Sequence, residues 1–351
     1  MASTSHSPPR RFPSSGFVAL DPKLKVEEEE LPSYVPGDFY PVTIGEVFVE
    51  RYQVVAKLGF GKQHRAPRNT IVRMILDSFN IMGPTGNQHQ CLLYQPLGMS
   101  YTEFLDLFPN KQMPEALLQR SMQLILLGLD YLHKAKVVHT DISANNILQG
   151  ITDLTALSEI EDGEASQPIA RKVLDDRTIY ISRPMPINTG LSVLCDFGEA
   201  RIGDKHKGDV MPGIYRAPEV ILDMEWDSKV DIWAVGLTNW DLLETGNLFF
   251  ARKDGLLNDE QHLAEMVSLL GPPPLEFIRR SDKCLQYWDE NSNWKGSIPI
   301  PEQSFEIRER SLEGDAVSIL ENQWQTAAGR KQRHFAAGRP SKNTFTTQTR
   351  P

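Results

Sequence analysis

The 351-residue chain is 40% hydrophobic and 24% charged, enough apolar material for one large domain or two smaller ones and too much for disorder throughout. Its 37 basic against 46 acidic residues leave a net charge of -9, which argues against nucleic-acid binding through the whole surface and favours a basic partner. Cys91, Cys195 and Cys284 form no CxxC pair, so neither a disulfide framework nor a structural zinc site is expected, and a reducing compartment fits. Apolar runs such as Leu124 to Leu127 fall far short of the ~20 residues a bilayer requires, so no membrane partner is expected.

The first fifteen residues are rich in Ser, Pro and Arg, and Glu27 to Glu30 form an acidic run, so residues 1–35 read as a disordered lead. A mitochondrial transit peptide shares the early composition, but two arginines without an amphipathic helix support it weakly. Arg51 to Leu58 alternates apolar and polar side chains before Gly59-Phe60-Gly61, the pattern of a strand entering a glycine turn. From Pro114 to His133, apolar residues recur at three- and four-residue steps, which predicts a helix with Pro114 in its first turn. Lys229 to Glu244 predicts a second helix with little polar face, hence deeply buried. Residues 152–190 read as a surface insertion, and residues 321–351 as a disordered basic tail.

The chemistry concentrates in His139-Thr140-Asp141-Ile142-Ser143-Ala144-Asn145-Asn146 and in Cys195-Asp196-Phe197-Gly198. A carboxylate at Asp141, an amide five residues later and a second carboxylate on a separate hairpin are the set that phosphoryl transfer requires. Asp141 would orient a hydroxyl, while Asn146 and Asp196 would hold Mg2+ against the phosphates. Either motif alone would carry little weight. Followed in order by Tyr215-Arg216-Ala217-Pro218-Glu219 and by Asp231-Ile232-Trp233-Ala234-Val235-Gly236, they are very improbable as coincidence.

In these motifs the chain resembles the eukaryotic protein kinases, over roughly residues 34–320. Within them it is similar to the SR-protein kinases of the CMGC group, through Tyr34-Val35-Pro36-Gly37-Asp38-Phe39-Tyr40-Pro41-Val42, the threonine after His139, and the segment HLAEMVSLLGPPP from His262 to Pro274. The resemblance implies an α+β protein-kinase-like fold with a reduced N-terminal β lobe (36–97) and a mostly helical C-terminal lobe (98–320). It implies a monomeric serine/threonine kinase of cytoplasm and nucleus that uses ATP and Mg2+ on Arg/Ser-rich proteins such as splicing factors, without binding nucleic acid directly. By the same resemblance Asp141 is the catalytic aspartate, Asn146 and Asp196 are the metal ligands, Leu58, Gly59 and Gly61 cover the nucleotide, and Leu148 packs under its adenine. His139 is read as packed scaffold and Asp231 as a buried anchor for the catalytic-loop backbone. Asp254, Asp259, Glu260 and Glu265 could form a docking face for arginine-rich substrates, although a solvated face is the ordinary explanation for such a cluster.

The departures are equally specific. After Gly61 the family carries a strand with the ATP-binding lysine and a helix with its glutamate partner, whereas here His64 to Asn69 leads directly into Val72 to Phe79, which resembles the fourth strand. Ser143 stands where a catalytic-loop lysine is usual, and the sequence after Leu320 leaves Glu219 without the arginine that normally pairs with it. These breaks support a competing reading, an incomplete gene model or a pseudokinase-like scaffold that binds basic partners without phosphorylating them.

Overall fold

The computed structural model describes residues 8–31, 34–59, 71–187, 190–244 and 246–308. Gly61, the junction at residues 61–65 and the expected tail at 321–351 lie outside the described residues.

The N-terminal part is β structure. Strands β1 (Val47–Phe48) and β2 (Tyr52–Gln53) form one antiparallel hairpin, β3 (Ile75–Met82) and β4 (Gln88–Tyr94) another, and among the described residues no α-helix lies between them or before Tyr101, where the only helical turns are the 3-10 turns Glu27–Glu30 and Pro36–Asp38. The expected strand over Arg51 to Leu58 is thus cut to Tyr52–Gln53. Its continuation pairs elsewhere: Lys57 O accepts the Arg183 amide from the insertion at 2.8 Å instead of meeting a neighbouring strand.

Strand β5 (Leu97–Ser100) leads into α1 (Tyr101–Leu105) and the long α2 (Glu115–Lys134), which begins one residue after Pro114, as the sequence pattern requires. Its Leu118, Met122, Ile125, Leu129 and Leu132 face inward, producing the amphipathic stripe. Strand β6 (Val137–Val138), strand β7 (Ile147–Gly150), helix α3 (Thr155–Ser166), strands β8 (Arg171–Val173) and β9 (Thr178–Tyr180), β10 (Ser192–Leu194) and β11 (Arg201–Ile202) follow. The sheet order β5-β7-β10 crosses the chain at its waist, and β6 pairs with β11.

Beyond these lie α4 (Pro218–Ile221), α5 (Lys229–Leu243), the hairpin β12 (Arg252–Lys253) and β13 (Leu256–Leu257), α6 (Asp259–Leu270), α7 (Leu275–Ile278) and α8 (Phe305–Arg308). Helix α5 buries Val230, Trp233, Leu237 and Trp240 on one side and Ala234, Val235, Leu242 and Leu243 on another. It therefore joins two apolar clusters, one against α4 and α6, the other against α2, β7 and β10. That dual role explains its missing polar face.

The lead departs from expectation. Residues 8–31 are packed against residues 155–183 rather than disordered. Arg171 exchanges backbone hydrogen bonds with Val18 and Leu20, both 3.0 Å, and its guanidinium lies between the rings of Phe17 and Tyr180 at 4.3 and 4.8 Å. Lys172, 4% exposed at its side chain, reaches Glu29 at 2.7 Å and the Leu24 carbonyl at 2.8 Å. Glu27 accepts the amide and the hydroxyl of Ser182, each at 2.7 Å, and Glu28 pairs with Lys57. Within the insertion, buried Glu164 binds Arg171 at 3.0 Å and Arg183 at 2.7 Å. The acidic run is ordered because Lys172, 143 residues from Glu29, and Lys57, 29 residues from Glu28, neutralise it, which local composition cannot reveal.

Candidate active site

Helix α2 ends in a turn at Lys136, whose positive φ of 59° redirects the chain into β6 and then into the loop 139–146. That loop is fixed from beneath by Asp231, whose side chain is fully buried in the first turn of α5. The Asp231 carboxylate accepts the His139 amide at 2.9 Å, the Thr140 amide at 2.7 Å and the His133 ring at 2.8 Å. Thr140 has a φ of 67°, a strained conformation for a β-branched residue, and its hydroxyl donates to the Glu199 carbonyl at 2.7 Å. The anchor role expected of Asp231 is observed, and the strain it holds faces the second loop.

His139 is scaffold, as expected. Its Nδ1 accepts the Asp141 amide at 3.3 Å, so Nε2 carries the proton and donates to the Cys195 carbonyl at 3.0 Å. The ring sits 4.7 Å from that of Phe197, and full burial lowers its pKa and keeps it neutral. One imidazole therefore ties the two catalytic loops together.

The hairpin register then brings the two metal candidates into reach. Ile147 pairs with Leu194 and Leu148 with Val193, and the Cys195 amide donates to the Asn146 carbonyl at 2.9 Å. Asn146 and Asp196 are thereby placed at the same end of the β7-β10 ladder. The Asn146 amide nitrogen donates to the Asp141 carboxylate and to the Asp141 carbonyl, each at 2.8 Å, which leaves the amide oxygen as its remaining acceptor. Asp196 adopts a positive φ of 60° and accepts the Gly198 amide at 3.0 Å. An amide oxygen and a carboxylate are hard donors of the kind Mg2+ takes, so the residues present fit that ion.

Burial pushes the Asp141 carboxyl up to about 6, with the nearby charges of Asp196 and Glu199 adding to the effect and the Asn146 hydrogen bond opposing it. At neutral pH the group is ionised and able to hold a hydroxyl proton. Cys195, between the two loops, is buried and its thiol is pushed up to about 12, so it is a packing residue rather than a nucleophile.

The nucleotide-covering residues are divided. Leu148 packs on Leu97, Val193 and Cys195 at the centre of the three-stranded sheet, next to Asn146 and Asp196. Leu58 and Gly59 are exposed and line a separate cavity whose wall includes none of Asp141, Asn146, Leu148 and Asp196. Sequence reasoning missed Arg73. Its amide donates to Leu194 O at 2.9 Å, its guanidinium stacks on Tyr94 at 4.7 Å, and its charge acts on Cys195. Only the bridge between Val72 and Leu194 brings it there.

Three of the four docking acids are occupied internally. Asp259 pairs with Arg216 at 2.9 Å, Glu260 accepts the Ile298 amide at 2.9 Å, and Glu265 caps the amides of Phe250 and Ala251 at 2.8 and 3.1 Å. Their spacing reflects cross-links within the C-terminal part rather than an open acidic face. Glu219 is buried with Oε2 lacking a hydrogen-bond partner among the described residues, and burial raises its pKa.

Two loops of this order and geometry, tied by His139 and Asp231, define a protein-kinase catalytic centre. The family described as protein tyrosine and serine/threonine kinase matches residues 87–261. A serine/threonine protein kinase of Aspergillus fumigatus is 41% identical over 88% of this chain and 87% of its own. The serine/threonine-protein kinase SRPK of Physarum polycephalum is 28% identical over 77% and 78%, and the human dual specificity protein kinase CLK1 is 28% identical over 71% and 56%. The chain belongs to the serine/threonine protein kinases.

Proposed function

We propose that this kinase transfers the γ-phosphoryl group of ATP, with Mg2+, to serine in Arg/Ser-rich proteins. The observation that carries the reading is the Asn146 amide holding the Asp141 carboxylate while the β7-β10 register sets Asp196 beside it. In that arrangement Asp141 accepts the substrate hydroxyl proton, and Asn146 and Asp196 present oxygen donors for the ion, which would neutralise the phosphates when bound. The substrate class is supported by the similarity to a protein named SRPK and by the net charge of -9. The absence of a lysine-bearing strand from the sequence implies a slow enzyme, because positioning and charge stabilisation supply nearly all catalysis of phosphoryl transfer.

The test is transfer of radiolabelled phosphate to an Arg/Ser peptide and to a peptide without arginine. The chain as it stands, Asp141→Ala, and a version with a lysine-bearing family segment inserted after Gly61 are compared. Weak transfer that prefers the Arg/Ser peptide, lost in Asp141→Ala and raised by the insertion, is expected. Equal use of both peptides would overturn the substrate class, and transfer surviving Asp141→Ala would overturn the assignment of the base.

A further inference from the structure

A cavity of about 340 Å3 lies where the N-terminal lead, the β1-β2 segment and the insertion meet. One wall comes from the Pro-rich turn, through Tyr34, Phe39 and Tyr40, a second from Val54 to Gly59, and a third from Arg177 to Tyr180 of β9 and its approach. Its volume falls within the range of sites that take small molecules.

The chemistry of the walls selects the ligand. Tyr34 and Phe39 lie 5.2 Å apart, tilted by 35°, and present ring surface. The phenol heads of two other lining tyrosines are already committed: Tyr40 donates to Glu46 at 2.7 Å and Tyr180 accepts the Ile44 amide at 3.3 Å. The charges are committed too. Lys57 is bound by Glu28 and by Glu27, and the Arg177 guanidinium holds Asp176 at 2.6 Å. A charged ligand would have to break one of these pairs or enter without a counterion, which is costly. One polar group stands apart: the Arg177 guanidinium meets Asp176 and the Tyr34 hydroxyl, yet its Nε is buried without a hydrogen-bond partner among the described residues, and no other lining residue has such an atom. A buried donor left unpaired is a standing cost that an incoming acceptor removes.

We propose that this cavity is a binding site for a neutral, planar aromatic molecule carrying one hydrogen-bond acceptor, a carbonyl or ring nitrogen, whose ring packs against Tyr34 and Phe39 and whose acceptor takes the Arg177 Nε–H. The cavity takes in Leu58 and Gly59, which the kinase resemblance sets over the nucleotide, but shares no residue with the Asp141, Asn146 and Asp196 loops, so the proposal does not rest on their chemistry.

The test uses three probes on the full chain, benzamide, toluene and cyclohexanecarboxamide, with saturation-transfer NMR for affinity and amide hydrogen exchange for location. Benzamide supplies ring and acceptor, and the other two each lack one of them. The expected result is saturable benzamide binding in the low millimolar range, usual for a ligand of roughly this size, and at least about fivefold tighter than either analogue. Protection should fall on residues 54–59 and 177–180. Arg177→Met should remove the preference for benzamide over toluene while leaving toluene binding in place, and Ala56→Phe should abolish binding of all three. Equal affinities for benzamide and toluene on the unaltered chain, protection confined to other residues, or no saturation by about 20 mM would each overturn the proposal.

Discussion

Replacing Asp231 with alanine isolates what holds the catalytic loop. The side chain is fully buried and accepts two backbone amides, His139 at 2.9 Å and Thr140 at 2.7 Å, besides the His133 ring. Each buried amide left without an acceptor costs about 1–3 kcal/mol, so the two together cost roughly 4 kcal/mol. The left-handed Thr140 stores a further strain of about 1–3 kcal/mol, which the carboxylate holds in place and its loss would release, so the two effects partly cancel. A net loss of about 3 kcal/mol is a large share of the 5–15 kcal/mol typical of a domain. With a urea dependence of about 3 kcal/mol per molar, the unfolding midpoint should fall by about 1 M, read from the fluorescence of the six tryptophans. Asp231→Asn keeps one acceptor oxygen and should fall by about half as much. A decrease below ~0.3 M for Asp231→Ala would show that the loop is held by something other than this carboxylate.

Lys172→Met leaves the Glu29 carboxylate buried without its cation, so residues 18–29 should lose amide protection and the chain about 3 kcal/mol of stability; unchanged exchange there would count against the packed lead. Burial holds His262 down to about 3, so between that value and the ordinary histidine range the unfolded chain takes up a proton the folded one refuses, and stability falls on acidification across this window. His262→Phe should flatten that acid limb, and a limb of unchanged steepness would refute the assignment. Glu219 has its pKa raised by burial, so its contribution is present at low pH and lost as pH rises; the stability of Glu219→Gln relative to the parent should increase as the pH is raised above the ordinary carboxylate range, measured by thermal unfolding. A constant difference over that rise in pH would mean the buried carboxyl does not titrate differently on folding.

Elements with a local signal can be read from the amino-acid order alone. The apolar spacing of α2 and the unbroken apolarity of α5 follow from burial of one face or of all faces, and both helices lie where their residues predict. The catalytic motifs were equally legible, because Asp141, Asn146 and Asp196 are fixed by short spacings around His139 and Phe197. What brings them together is the register of β7 on β10 and the buried carboxylate of Asp231, and neither is encoded near the motifs themselves. The lead is settled by tertiary contacts, since composition predicts disorder there and Lys172 and Arg171 of the insertion supply order. The fold likewise turned Asp259, Glu260 and Glu265 from a candidate docking face into internal links, and set Leu58 and Gly59 in a cavity that Leu148 does not line. The physical reason is the same in each case. Hydrophobic periodicity is a property of neighbouring residues, whereas the energy of a charge or a polar backbone group depends on the partner that meets it when distant segments close together.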